Sequence, residues 1–102
     1  MLHVVAMIEV AEGKREDFLA EFRKIVPLVL DEEGCIEYGP TVEIDTGNEK
    51  IQAPDAQRVT VIEKWESLDH LNAHLVAPHM LEYREKVKDF VVGAKVYVSE
   101  PA

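Results

Sequence analysis

The chain has 102 residues, 47% of them apolar, and carries 20 acidic against 11 basic side chains for a formal charge of −9. One domain is expected at this length, with enough apolar mass for a core and too much for disorder. The acidic balance argues against nucleic acid, whose phosphates need clustered Lys and Arg, and against an anionic membrane surface.

The opening segment MLHVVAMIEV shows no basic leader with a small-residue cleavage site, and its apolar run is too short to span a bilayer. A soluble cytoplasmic protein is expected. The single cysteine, Cys35, agrees with a reducing compartment.

In chain order, His3 to Val10 reads as a strand. Val4, Ala6, Ile8 and Val10 lie on one face and Val5 and Met7 on the other, so both faces are apolar. Lys14 to about Glu33 reads as a helix with Phe18, Phe22, Ile25 or Val26, and Val29 inward; Pro27 is expected to kink it. Gly34 fits a left-handed cap after Asp31-Glu32-Glu33.

Cys35 to Ile44 is a second strand, and Gly39-Pro40 inside it marks an edge or a bulge. Residues 45–56 form the long loop, with room for a short hairpin arm. A third strand runs from about Gln57 to Trp65, with Val59, Val61, Glu63 and Trp65 on one face. Ser67 caps a short helix whose expected buried stripe is Leu68, Leu71 and Leu75. Pro78 starts a further helix with Met80, Tyr83, Val87 and Phe90 inward, and Val91 to Val98 is the last strand.

The order βαββααβ predicts an α+β, ferredoxin-like single domain over residues 1–102: a four-stranded antiparallel sheet with helices on one face. The helices leave the second apolar face of the first strand uncovered. A homodimer, with two sheets packed face to face, is therefore expected.

Gly34-Cys35-Ile36-Glu37-Tyr38, then Glu63-Lys64-Trp65-Glu66-Ser67, Ala73-His74 and Pro78-His79, together resemble antibiotic biosynthesis monooxygenase domains. The resemblance implies a dimeric α+β barrel and, for the quinol monooxygenases of that family, oxidation of a small aromatic molecule by molecular oxygen with no metal or other cofactor. It further implies that Trp65 lines a pocket with His74 at its mouth. Some aromatic-polyketide oxygenases of the group carry an asparagine at the position of Val61, and related haem-degrading enzymes carry one in the first strand, where this chain has Ala6 and Met7. Haem degradation is accordingly not expected.

Read as residues, His74 lies about 90° around the helix from the leucine stripe, at the margin of core and solvent. An imidazole there can take a hydroxyl proton or simply bond the backbone. His70 and His74 have metal-chelating spacing, but no third ligand completes a site. Trp65 is either pocket wall or core filler. Glu63 on the same strand face needs a partner, with His74, Arg84 or a subunit-crossing group as candidates, and active-site and ion-pair roles remain equal. Tyr38 can orient a ligand through its hydroxyl or pack on the strand face. His79, near a helix start, can contact ligand as a neutral imidazole. Cys35 reads as an unreactive filler.

These residues frame a cofactor-independent monooxygenase with His74 and Glu63 as catalytic groups and Trp65, Tyr38 and His79 against the substrate. Two alternatives use the same cavity. One is a non-catalytic dimeric module that binds small ligands or serves in stress; the other is an isomerase of a small phosphorylated carbonyl compound, using Arg58, Lys64 or Arg84.

Overall fold

The computed structural model describes residues Met1–Ala102. In chain order the elements are β1 (Leu2–Val10), α1 (Arg15–Leu30), β2 (Cys35–Thr41), β3 (Arg58–Trp65), α2 (Leu68–Leu75), α3 (Pro78–Val87) and β4 (Val91–Ser99). The four strands form one antiparallel sheet in the order β2-β3-β1-β4. This is the ferredoxin-like α+β arrangement that the order of apolar patterns predicts.

Alternation along the strands decides which face the helices cover. In β3, Val59, Val61, Glu63 and Trp65 are buried while Arg58, Thr60, Ile62 and Lys64 are half-buried. Register places Val4 beside Glu63 and Ala6 beside Val61, so Val4, Ala6 and Val10 share that face. Against it α1 lays Phe18, Leu19, Phe22, Ile25 and Val29, and α3 lays Met80, Tyr83 and Val87. Phe22 stacks on Tyr38 at 5.5 Å and meets Tyr83 edge-on at 5.7 Å, which ties α1, β2 and α3 together through rings. The opposite sheet face, with Val5, Met7, Ile62 and Tyr97, has no helix over it.

Several local expectations change. The helix ends at Leu30 rather than near Glu33, with Pro27 inside it on the exposed side. β2 ends at Thr41, and residues 42–57 hold turns and no hairpin arm. They are moored instead by Arg58, whose guanidinium bridges Glu9 (3.1 Å), Glu43 (3.2 Å) and Asp55 (3.5 Å). The leucine stripe of α2 is not what the helix buries. Leu68 is 57% exposed and Leu75 41%, and the buried pair is Leu71 and His74. The helix is rotated so that its polar histidine, rather than its outer leucines, faces the sheet, since Leu68 falls in the first turn at the surface.

Gly34 sets how α2 meets the turn after α1. Its φ is +83°, and its carbonyl accepts the N–H of Glu66 at 2.9 Å. A Cβ built on it would overlap the ring of His70 and lie 2.6 Å from His70 Cβ. His70 is held there by Ser67, whose hydroxyl accepts the His70 N–H and sits 2.7 Å from His70 Nδ1. Gly34→Ala is expected to lose about 2–5 kcal/mol, combining left-handed strain with overpacking. Gly13→Ala, at φ +76° with nothing within 4 Å, should lose only the strain, about 1–2 kcal/mol. Equal losses in urea unfolding of the two variants would refute the close-packing argument.

Candidate functional site

Between the helix-side sheet face and α2 and α3 lies a cavity of about 190 Å³. Its floor is Val4, Ala6, Ile8 and Val61, with Ala94, Val96 and Val98 of β4 at one side. Phe22, Leu71, Leu75 and Met80 close it from the helix side. Leu75, Arg84 and the β4 residues are exposed and mark its mouth. Four polar side chains interrupt this apolar lining on the inside: His74, Glu63, Tyr38 and Tyr83, with Arg84 at the rim. The Arg84 Nη1 is anchored by donating to the Leu75 carbonyl at 2.6 Å.

His74 is only 2% exposed. One ring nitrogen, Nδ1, is 2.8 Å from Glu32 Oε2. The other, Nε2, makes no hydrogen bond within the chain, and no buried side-chain nitrogen or oxygen goes unpartnered. Nε2 is therefore the atom that reaches the open space of the cavity. Trp65 backs the imidazole with ring centroids 4.7 Å apart, and Tyr38 meets it edge-on at 5.4 Å. Burial pushes the His74 pKa down, opposed by the hydrogen bond and charge of Glu32 and assisted by His79 and Arg84. The neutral imidazole is the resting form near pH 7.

Glu63 finds a partner that none of the expected ones supplies: the Trp65 indole N–H donates to Glu63 Oε1 at 2.9 Å. Its second oxygen, by the same reasoning as for His74, has access to the cavity. Burial raises the Glu63 pKa, the indole bond lowers it, and the charge of Glu32 raises it again. Burial also raises the phenols of Tyr38 and Tyr83, so both stay protonated and can donate to a ligand.

Of the residues singled out from sequence, His74, Glu63 and Tyr38 thus meet at one cavity. Trp65 does not touch it. The indole is fully buried behind His74 and Glu63, a support for the lining rather than part of it. His79 is also outside. It lies in the groove between α1 and α3 beside Glu21, Lys24 and Glu82, and its Nε2 is 2.8 Å from the same Glu32 Oε2 that serves His74. His70 turns to Ser67 and Gly34, away from the cavity. Cys35 is half-buried, and burial followed by the charges of Glu32 and Glu63 pushes its thiol up to about 11, which keeps it unreactive.

Glu32 escaped the sequence reading. A signal for it existed, because Asp31-Glu32-Glu33 follows the C-terminal end of a helix, where the macrodipole disfavours negative charge. An acidic run in that place calls for a partner, and two histidines supply it.

A neutral buried histidine leaves a mark on stability. The unfolded chain takes up its proton near pH 6.5, whereas the folded pKa is lower, so stability from this group is intact above 6.5 and is lost as pH falls toward the folded value. Glu63 acts in the opposite sense, since its raised folded pKa makes the native state bind the extra proton above the ordinary carboxylate value. Urea unfolding at pH 7 and 5.5 should therefore show a larger loss in the wild type than in His74→Gln, by up to about 1.4 kcal/mol per pH unit. Parallel losses would mean that His74 titrates as if in water.

The sequence model of the family described as antibiotic biosynthesis monooxygenase matches residues 1–86. The Escherichia coli protein YgiN, named a probable quinol monooxygenase, is 43% identical over 104 aligned residues, 99% of this chain and 98% of its own. A candidate antibiotic biosynthesis monooxygenase from Nitrosomonas europaea superposes with a TM-score of 0.84 at 20% identity, covering 99% of this chain and 98% of that one. A conserved protein from Methanosarcina mazei does so with a TM-score of 0.84 at 22% identity, covering 99% and 92%. At those identities the two structures speak to the fold alone. The family match and the full-length relative go further: the chain belongs to the antibiotic biosynthesis monooxygenase family.

Proposed function

We propose that the protein is a cofactor-independent monooxygenase that oxidises a small aromatic, quinol-like substrate with molecular oxygen. The observation that carries this reading is the Nε2 of a neutral, buried His74 facing an apolar cavity. The name borne by the 43% identical relative points to the same substrate class.

In the proposed reaction the substrate's aromatic ring lies on the apolar floor, and a phenolic O–H points at His74. The O–H bond breaks and an N–H bond forms at Nε2, leaving an electron-rich phenolate. That anion reduces oxygen. One oxygen atom enters the ring, the other leaves as water, and a hydroquinone thereby becomes a hydroxyquinone. As the O–O bond breaks, the departing oxygen takes the proton held on His74 and the proton of the attacked ring carbon, whose C–H bond breaks to leave the new carbon–oxygen group. Tyr38 and Glu63 orient the substrate's oxygens. Trp65 keeps the imidazole and Glu63 in place from behind, and apolar walls keep bulk water off the anion.

A second copy over the open sheet face is part of this reading. Val5, Met7, Ile62 and Tyr97 would otherwise form an apolar patch on water. No helix is long and apolar enough to cross a membrane. The isomerase alternative loses most of its support here. A phosphate would need several cations, but Arg58 is held by three carboxylates, and Lys64 pairs with Glu37 on the other sheet face. Only Arg84 remains at the cavity.

Metal-free protein given a hydroquinone should consume oxygen, and His74→Ala should lose about 100-fold or more in kcat while keeping a cooperative unfolding transition. The acid limb of kcat/KM should have its midpoint below 6.5, the direction set by burial of His74. Ligand-induced thermal stabilisation without oxygen uptake would favour the binding module instead. Sedimentation should give twice the chain mass, and a monomer would remove the face-to-face pairing.

A further inference from the structure

We propose that Glu32 is the positioning residue that makes His74 a base, by holding the imidazole proton on Nδ1, and that His79 is the outer clamp that holds Glu32. The inference deepens the reading of His74 as proton acceptor and rests on it. It starts from an uncommon arrangement. One carboxylate oxygen, Glu32 Oε2, lies 2.8 Å from His74 Nδ1 and 2.8 Å from His79 Nε2.

A carboxylate only accepts hydrogen bonds. Both imidazoles must then donate to it, which places a proton on Nδ1 of His74 and on Nε2 of His79. A neutral imidazole has one N–H, so the lone pair of His74 is left on Nε2, the atom that reaches the cavity. The opposite tautomer would turn an N–H toward the substrate and would set the lone pair of Nδ1 against the negative oxygen. When Nε2 takes the substrate's proton, His74 becomes an imidazolium facing the Glu32 carboxylate, which stabilises the charge.

The rest of the surroundings leave this task to Glu32. From β2, Tyr38 contacts the His74 ring edge-on and makes no hydrogen bond to Nδ1, whose partner is Glu32. From β3, Glu63 is engaged by the Trp65 indole. From α3, Arg84 is a cation bonded to the Leu75 carbonyl. His79 holds Glu32 from outside. Glu32 comes from the turn after α1, His74 from α2 and His79 from α3, so the three hydrogen-bonding groups join three separate elements.

Long-range proton–nitrogen NMR of the ¹⁵N-labelled wild type at pH 8 tests this without any substrate. His74 should show a protonated Nδ1 and an unprotonated Nε2. Glu32→Gln, whose amide can donate, should shift His74 toward the Nε2–H form and lower kcat on a hydroquinone by about 100-fold or more with KM changed only a few-fold. Glu32→Asp should keep the Nδ1–H form and part of the rate. His79→Gln should keep the tautomer and lose about tenfold or less. A wild-type Nε2–H tautomer, or a Glu32→Gln protein whose tautomer and rate match the wild type, overturns the proposal. Should Glu32→Gln not fold, the wild-type spectrum still decides the tautomer. Should the wild type turn over no hydroquinone, the oxygenase reading falls, while the spectra still judge Glu32.

Discussion

Taking an imidazole out of water obliges the fold to provide for both ring nitrogens, and this obligation organises the site. His74 meets it unevenly, with one nitrogen on Glu32 and the other on the cavity. An unpartnered buried nitrogen would cost about 1–3 kcal/mol, so the helix that carries His74 can dock in very few ways. The docked α2 requires Glu32 in place beside it. The position of Glu32 follows from the turn Asp31–Gly34, and that turn depends on a residue able to adopt a positive φ with no Cβ under His70.

The spacing of His70 and His74 thereby acquires a structural meaning. Four residues apart on one helix, they share a side. One ring seats on Gly34 and the other bonds Glu32, two points of the same turn. Metal-like spacing thus serves to dock a helix. The same docking explains why α2 buries Leu71 and His74 while leaving Leu68 to solvent and Leu75 to the cavity mouth.

Element order, the sheet and the buried face of β3 were legible because they depend on periodicity. Val59, Val61, Glu63 and Trp65 alternate, and alternation assigns a face whatever the neighbours are. The place of His74 beside the pocket was implied by the family resemblance and not by the pattern of α2, which set it at the margin of core and solvent. What was not legible depends on rotation and on partners distant in sequence. An eight-residue helix with leucines at 68, 71 and 75 can turn either flank inward, and hydrophobicity alone chooses the wrong one. The bond from Trp65 to Glu63 and the exclusion of Trp65 from the lining follow from side-chain direction within the packed core. Glu32 lies 42 residues before its partner, beyond any local pattern.

The cavity itself is an argument for use. Interiors this small close-pack, and voids above the size of a water molecule are few. Here the sheet floor carries Ala6 and Ala94 where its neighbours carry valine or isoleucine, and β4 lies beyond the reach of the short α2 and α3. Larger side chains at those two positions would fill the space and gain contact energy. A stretch selected for stability alone would favour them. The polar atoms that line the gap sharpen the point, since His74, Glu63 and Tyr38 are each held from behind by Glu32, Trp65 and Phe22 while their free ends face the same open space. Groups so placed gain no protein partner for those ends and depend on water there. A ligand with an aromatic body and polar edges would supply both the missing contacts and those partners.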